Sequence, residues 1–291
     1  MLGDGRRLHL QDGPIDLVIR ADGAPRAEAE AYEAAASAME GLLDRLCAEL
    51  PLLRAAAAPD GPRPGGAVAR RMAEAVAPFA TETFITPMAA VAGAVADAVL
   101  DAMVRAAALE RAFVNNGGDI AFHCAPGRSL TLGLVDRPDR PGLFGRADLG
   151  DRDGVGGAAT SGWRGRSFSR GIADSVTVLA RTAAEADAAA TVVANAVDLP
   201  HHPAVRRAPA ESVHPDSDLG PHLITRDVGP LAAVDVVAAL EAGVACAENL
   251  VDRGLILGAA LQLQGRVRTV GYPGRAVPLA LPTRPELARH A

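Results

Sequence analysis

Apolar and polar residues alternate in "RRLHL" and "IDLVIRA" on either side of "QDGP". A period of two is the pattern of a half-buried strand, so the chain is expected to open with a β-hairpin. From about Pro25 to Leu50 the pattern shifts to alanine, glutamate and spaced leucines, which predicts a helix ending before Pro51. "AAAAPDGPRPGG" reads as a loop and "AVARRMAEAVA" as a short helix after it. "MAAVAGAVADAVLDAMVRAAALERA" is a longer helix with Pro87 in its first turn. Its lack of charge before Asp97 predicts burial on more than one side, and a leucine at Gly93 should overpack it by on the order of 1–3 kcal/mol.

Strand-like runs follow at "RAFV", "DIAFHC" and "SLTLGLV". Residues 137 to 160 are rich in Pro, Gly, Asp and Arg, so long loops with one short strand are expected there. "SVTVLA" has high β propensity and runs into "RTAAEADAAATVVANAV", where Thr182 and Glu185 form a capping box that starts a helix. The stretch from Leu199 to about Pro230 reads as irregular. A last helix near Ala232 to Arg253 precedes a terminal hairpin in "LILGAALQLQGRVRTVG". Strands and helices do not alternate in a βαβ rhythm. An α+β fold is expected, with a mixed or antiparallel sheet packed against alanine-rich helices.

Composition sharpens this picture at a few points. The chain has 291 residues, enough for one large domain or two intimately packed ones. Aromatic residues make up only 3%, so close helix packing through small side chains is favoured over an aromatic core. A net charge of -6 offers no general attraction for nucleic acid. All 29 basic residues are arginine, which excludes lysine nucleophiles and Schiff bases. Cys47, Cys124 and Cys246 form no CxxC pair and read as free thiols. "MLGDGRRLHLQDG" lacks an apolar signal core, and no run is expected to span a membrane, so a cytoplasmic protein is expected.

Three segments could carry chemistry. "VNNGGDIAFH" reads either as a hairpin turn or as a strand end shaped around a ligand, since Gly-Gly permits both. "GVGGAATSGWRGRSFSRG" offers main-chain N–H groups, the hydroxyls of Thr160, Ser161, Ser167 and Ser169, and Arg164, Arg166 and Arg170. Such a loop can hold phosphate oxygens, and it reads equally as a long surface loop. Asp187 and Thr191 lie four residues apart on the capped helix, with Asn195 one turn further. A carboxylate and a hydroxyl at that spacing suit a hard cation, although a plain polar stripe has the same pattern. His201, His202, His214 and His222 lie in a proline-rich stretch that favours solvated histidines.

Taken together, "PMAAVAGAVADAV", "VNNGGDI", "TSGWRGRSFSRGIADSVTVLA" and "EADAAATVVANAV" resemble the cytosolic branch of the ApbE superfamily, from about Pro87 to Val197 and again in the last helix and hairpin. The better-known members are magnesium-dependent FAD:protein FMN transferases. The resemblance implies an ApbE-like fold and a magnesium site at Asp187 and Thr191, with a main-chain carbonyl as a third ligand, that of Ala159 first and of Ala158 next. It implies a binding pocket for FAD or FMN, or another phosphorylated small molecule, formed by Asn116, Gly117, Gly118, Asp119, Thr160, Ser161, Gly162 and Ser167. The transferases carry A-K-G-Y-A-x-D on the buried helix, whereas here Ala92 and Ala94 stand at the Lys and Tyr positions and only Gly93 and Asp97 are kept. Their H-I-x-D-P-x-T-G-x-P segment is also missing. The expected activity is FMN transfer or cleavage of the FAD pyrophosphate, and the alternative is a binding or assembly protein that keeps the pocket without the chemistry. A homodimer is compatible with these expectations, and neither nucleic acid nor membrane is an expected partner.

Overall fold

The computed structural model describes residues 1–135, 142–271 and 277–278. In chain order the elements are β1 (Arg7–Asp12), β2 (Ile15–Gly23), α1 (Pro25–Met39), α2 (Leu42–Ala48), α3 (Leu50–Leu53) and α4 (Ala67–Val76). Two 3₁₀ turns, Ala77–Phe79 and Pro87–Ala90, lead to α5 (Val91–Ala106). Then come β3 (Leu109–Asn116), β4 (Asp119–Cys124), β5 (Ser129–Val135), β6 (Leu143–Gly150), β7 (Gly157–Ser161), β8 (Ser175–Ala180) and α6 (Ala183–Ala196). The chain continues through β9 (Val205–Pro209), α7 (Ala210–Val213), β10 (Leu223–Val228), α8 (Ala233–Asp252), β11 (Gly258–Leu263), β12 (Arg266–Gly271) and β13 (Val277–Pro278).

Eight strands form one antiparallel sheet in the order β1-β2-β3-β4-β7-β8-β11-β12. One face carries a helix layer in which α1 packs on α5, α5 on α6 and α6 on α8. Ile15, Leu17, Ile19 and Ala21 of β2 are buried toward it at alternate positions, as the opening pattern predicted. The other face is partly covered by the sheet β13-β6-β5, which buries Leu149 and Ala147 with Phe122, Ala158 and Leu179. Covered on both faces, β8 and β11 are buried along their whole length.

Small side chains let the helices approach closely. In α6 seven alanines and Val193 are buried. The Thr182 hydroxyl accepts the Glu185 N–H at 3.1 Å, the cap expected from the local motif. Asp97, on the neighbouring helix, caps α6 as well: its two oxygens accept the Ala183 and Ala184 N–H groups at 2.9 and 3.0 Å.

Four expectations need correction. The helix expected from Pro25 to Leu50 breaks at Gly41, whose φ of 61° lies in the left-handed region, and Pro51 sits inside the first turn of α3, where its missing N–H costs nothing. Residues 137 to 160 hold an eight-residue strand, β6, that pairs with β5, and also most of β7. Leu199 to Pro230 contains the antiparallel ribbon β9-β10, joined across the strands by Arg206 and Asp227 at 2.7 Å. Pro87–Ala106 does form a 20-residue run apolar enough to cross a membrane. Eight residues of α5 are nevertheless buried among helices and strands, which marks it as a core helix.

Candidate functional site

The β3–β4 connection is a two-residue turn, Gly117 and Gly118, with φ of 66° and 116°. The hairpin reading holds, and the turn delivers Asp119 to the helix-facing side of the sheet. Asp119 pairs in register with Asn116, whose amide donates to the Ala92 carbonyl at the start of α5 (3.2 Å) and so marks that face. The Asn116 Oδ1 in turn accepts the Asp16 N–H at 3.4 Å. With both ends of its amide occupied and only 6% of its surface exposed, Asn116 acts as a strut of the turn.

Asp187 comes to the same place from α6. Its Oδ2 accepts the Gly93 N–H at 3.0 Å, and the Ala92 N–H also points to the carboxylate. Asp187 therefore caps the first turn of α5 while Asp97 of α5 caps the first turn of α6. The two helices hold each other by their N-termini, where the partial positive charge favours a carboxylate.

Despite those N–H bonds, Asp187 is held well above the usual carboxylate range, first by burial and then by the charge of Asp119. Burial likewise pushes Asp119 up to about 7, opposed by the Thr160 N–H and the nearby Arg166 guanidinium. Both residues keep part of their surface accessible, while protein atoms crowd the carboxylates themselves. Two carboxylates in such a setting favour sharing a proton or binding a cation. Arg166 lies over the turn: a Cβ on Gly117 would stand 2.9 Å from its Nη1.

The other expected site residues divide. Thr191, one turn beyond Asp187, is partly exposed on α6. Ala159 is buried in β7 among the core residues on the helix side, opposite Val178. Alternation puts Ser161 on that same side, at the end of the strand. Thr160 therefore faces away. Its hydroxyl pairs with Thr177 at 2.8 Å on the opposite face of the sheet, and only its main-chain N–H reaches Asp119, at 3.3 Å. Gly162 packs against backbone, since a Cβ there would lie 2.5 Å from the Asp174 carbonyl. Ser167 is exposed. Asn195 ties down the loop that follows β7 by accepting the Arg170 N–H at 2.8 Å.

Sequence reasoning named Asp119 only as a pocket residue and missed its electrostatic coupling to Asp187. The single clue was an acidic residue directly after Gly-Gly. Among the described residues, no three His, Cys, Asp or Glu side chains gather into a metal cluster. The histidines are dispersed, with His202 near Asp235 (3.5 Å) and His222 against Phe84 (3.9 Å between ring centroids).

One consequence of the Thr160 geometry can be measured. Thr160→Val should lower stability by about 1 kcal/mol through the lost Thr177 hydrogen bond. Urea unfolding of the variant tests this, and a midpoint equal to that of wild type would show that the hydroxyl pair contributes nothing.

A family model described as AbpE bacteria matches residues 1–269. A UPF0280 protein of Methanopyrus kandleri is 37% identical over 184 residues, covering 62% of this chain and 69% of that protein. A UPF0280 protein of Methanosphaerula palustris is 36% identical over 167 residues, 53% of this chain and 63% of its own. For the relative from Methanothrix thermoacetophila the identity is 37% over 139 residues, 45% and 52% of the two chains. The chain thus spans between about half and somewhat over two thirds of the length of these relatives. Among solved structures, the apo flavinyl transferase ApbE of Pseudomonas stutzeri overlaps 92% of this chain and 94% of its own, at 12% identity and a TM-score of 0.41. The flavin transferase ApbE of Vibrio cholerae overlaps 92% and 97% at 13% identity, with the same score.

Proposed function

The chain belongs to the AbpE bacteria family, and on that premise we propose that it is a magnesium-dependent enzyme acting on a phosphorylated, nucleotide-like substrate. The observation that carries this reading is the convergence of Asp187 and the Asn116–Asp119 pair on Ala92 and Gly93 at the start of α5, which sets the two carboxylates within reach of each other's charge. Two carboxylates and the Thr191 hydroxyl are hard oxygen donors of the kind magnesium takes, together with water and substrate oxygens, and the Ala159 carbonyl is the main-chain candidate beside them. A magnesium ion bound there would neutralise charge on a pyrophosphate. Arg166, lying over Gly117 beside Asp119, is placed to orient a phosphoryl oxygen through charge-assisted hydrogen bonds. The Asn116 strut and the capped start of α5 hold the two carboxylates in position.

A flavin nucleotide is the substrate that the motif resemblance suggests, with FMN transfer or FAD pyrophosphate cleavage as the reaction. A second reading, a protein that binds such a ligand without transforming it, rests on a specific observation. Asp187 already has a structural task in capping α5, so its retention has a cause apart from metal.

Calorimetric titration of magnesium, with and without FAD, separates the two readings. Wild type is expected to bind magnesium, with affinity falling sharply in Asp119→Asn and Asp187→Asn and less in Thr191→Ala. Asparagine keeps an oxygen for the Gly93 N–H, so the Asp187 variant should stay folded. FMN or AMP released from FAD and detected by mass spectrometry would support the enzyme. Magnesium binding without turnover would favour the second reading. No magnesium binding by wild type, even with FAD present, would end the metal proposal.

A further inference from the structure

A cleft of about 830 Å³ lies beside the C-terminal half of α6 and is bounded by the Phe79 turn, the segment from Asp198 to Pro203, β9 and α8. We propose that this cleft binds a small molecule with an apolar body and a single anionic group, a phosphate or carboxylate, and that Arg170 is the residue that recognises the anion. The inference does not depend on the metal site.

Charge pairing across the cleft supports the anion. Its two acidic residues are already matched: Asp198 by Arg207, and Glu82 by Arg253 at 3.0 Å. His202 is oriented toward Asp235 at 3.5 Å. Arg170 is different, because its guanidinium donates no hydrogen bond to any described residue. Its backbone, by contrast, is fixed from three directions. The N–H donates to Asn195 Oδ1 at 2.8 Å, and the carbonyl accepts from the Thr225 hydroxyl at 3.4 Å and from the Arg207 guanidinium. A free cation on a rigid base is the arrangement that recognises an anion at low ordering cost.

The walls supply the other half of the argument. Phe79, Val192, Val205 and Cys246 present apolar surface, and Leu223 at the edge remains 52% exposed. A cleft of this size that combines apolar wall surface with polar groups, Arg170 among them, has the make-up of a small-molecule site. At the rim, His201 is held at a φ of 63°, a sparsely populated conformation for a residue other than glycine that is found at ligand clamps.

The test uses 1-naphthyl phosphate and its uncharged counterpart, 1-naphthol, titrated into the whole chain by fluorescence. Wild type should prefer the phosphate ester. Arg170→Ala should weaken the ester about ten- to a hundredfold, the effect of losing a hydrogen bond to a charged group, and leave naphthol unchanged. Location is read from the thiols: the ester should slow iodoacetamide labelling of Cys246 in wild type, while exposed Cys47 reacts as before. Circular dichroism confirms the fold of the variant, whose lost guanidinium makes no hydrogen bond or ion pair with the described residues. Equal affinity for the two compounds, no binding of the ester at millimolar concentration, an unchanged Arg170→Ala affinity or an unprotected Cys246 would each overturn the proposal.

Discussion

Gly93→Ala should lower the urea midpoint steeply, with a loss of about 3 kcal/mol or more. The sign is the informative part, because Gly→Ala inside a helix ordinarily gains about 0.5–1 kcal/mol. Here a Cβ would stand 2.2 Å from the Ala183 carbonyl oxygen, 2.4 Å from its carbon and 2.7 Å from the Ala184 nitrogen. All three are backbone atoms of the first turn of α6, so no side chain can swing aside. Relief requires moving α6, which would pull Ala183 and Ala184 off Asp97 and Asp187 off Gly93. The cost should therefore exceed the 1–3 kcal/mol that sequence alone suggested even for leucine. Gly243 of α8 is the control. Its Cβ would meet only the side-chain ends of Val197 (2.3 Å) and Leu261 (2.7 Å), which can shift, so Gly243→Ala should cost less. A Gly93→Ala protein as stable as wild type would show that α5 and α6 are not packed backbone to backbone.

Asp97→Ala should cost about as much, roughly 3 kcal/mol, because it strands two buried N–H groups at about 1–3 kcal/mol each. The same carboxyl should give the protein an unusual pH dependence. Burial pushes its pKa up to about 6, although two N–H bonds and the Arg71 guanidinium 3.7 Å away pull it down. In the unfolded chain it titrates near ~4. The native state thus binds this proton more tightly, and the stability it contributes is complete below the unfolded pKa and lost as pH climbs through about 6. Asp119, pushed up to about 7, acts in the same direction. In magnesium-free buffer the urea midpoint should fall between about pH 5 and about pH 7.5. Asp97→Asn, which keeps one acceptor oxygen, should flatten part of that slope. A midpoint that stays level or rises over the interval would contradict the assigned burial.

What could be read from the chain was short-range. The opening hairpin, the Thr182 cap, the last helix and the terminal hairpin follow from alternation, a three-residue capping motif and helical spacing, all complete within a few residues. The four-residue spacing of Asp187 and Thr191 and the Gly-Gly turn were legible for the same reason, and they carried the family resemblance that the match over residues 1–269 bears out. Strands β6, β9 and β10 were not legible, because Gly, Pro and Arg interrupt their apolar pattern and each is stabilised by a partner strand.

Three decisions belonged to the tertiary structure alone. Asp97 finds its partners 86 and 87 residues along the chain, where helix packing brings bare N–H groups to a carboxylate that the sequence places on an apolar helix without a visible reason. Thr160 points away from the site because the pairing of β7 with β4 and β8 assigns its face, and a shift of one residue would have reversed it. Asp119 and Asp187, 68 positions apart by their numbers in the sequence, repel each other only because a strand end and a helix converge. Local patterns record which conformation each segment prefers, whereas burial, charge coupling and the face of a strand arise only when distant segments come within a few ångströms.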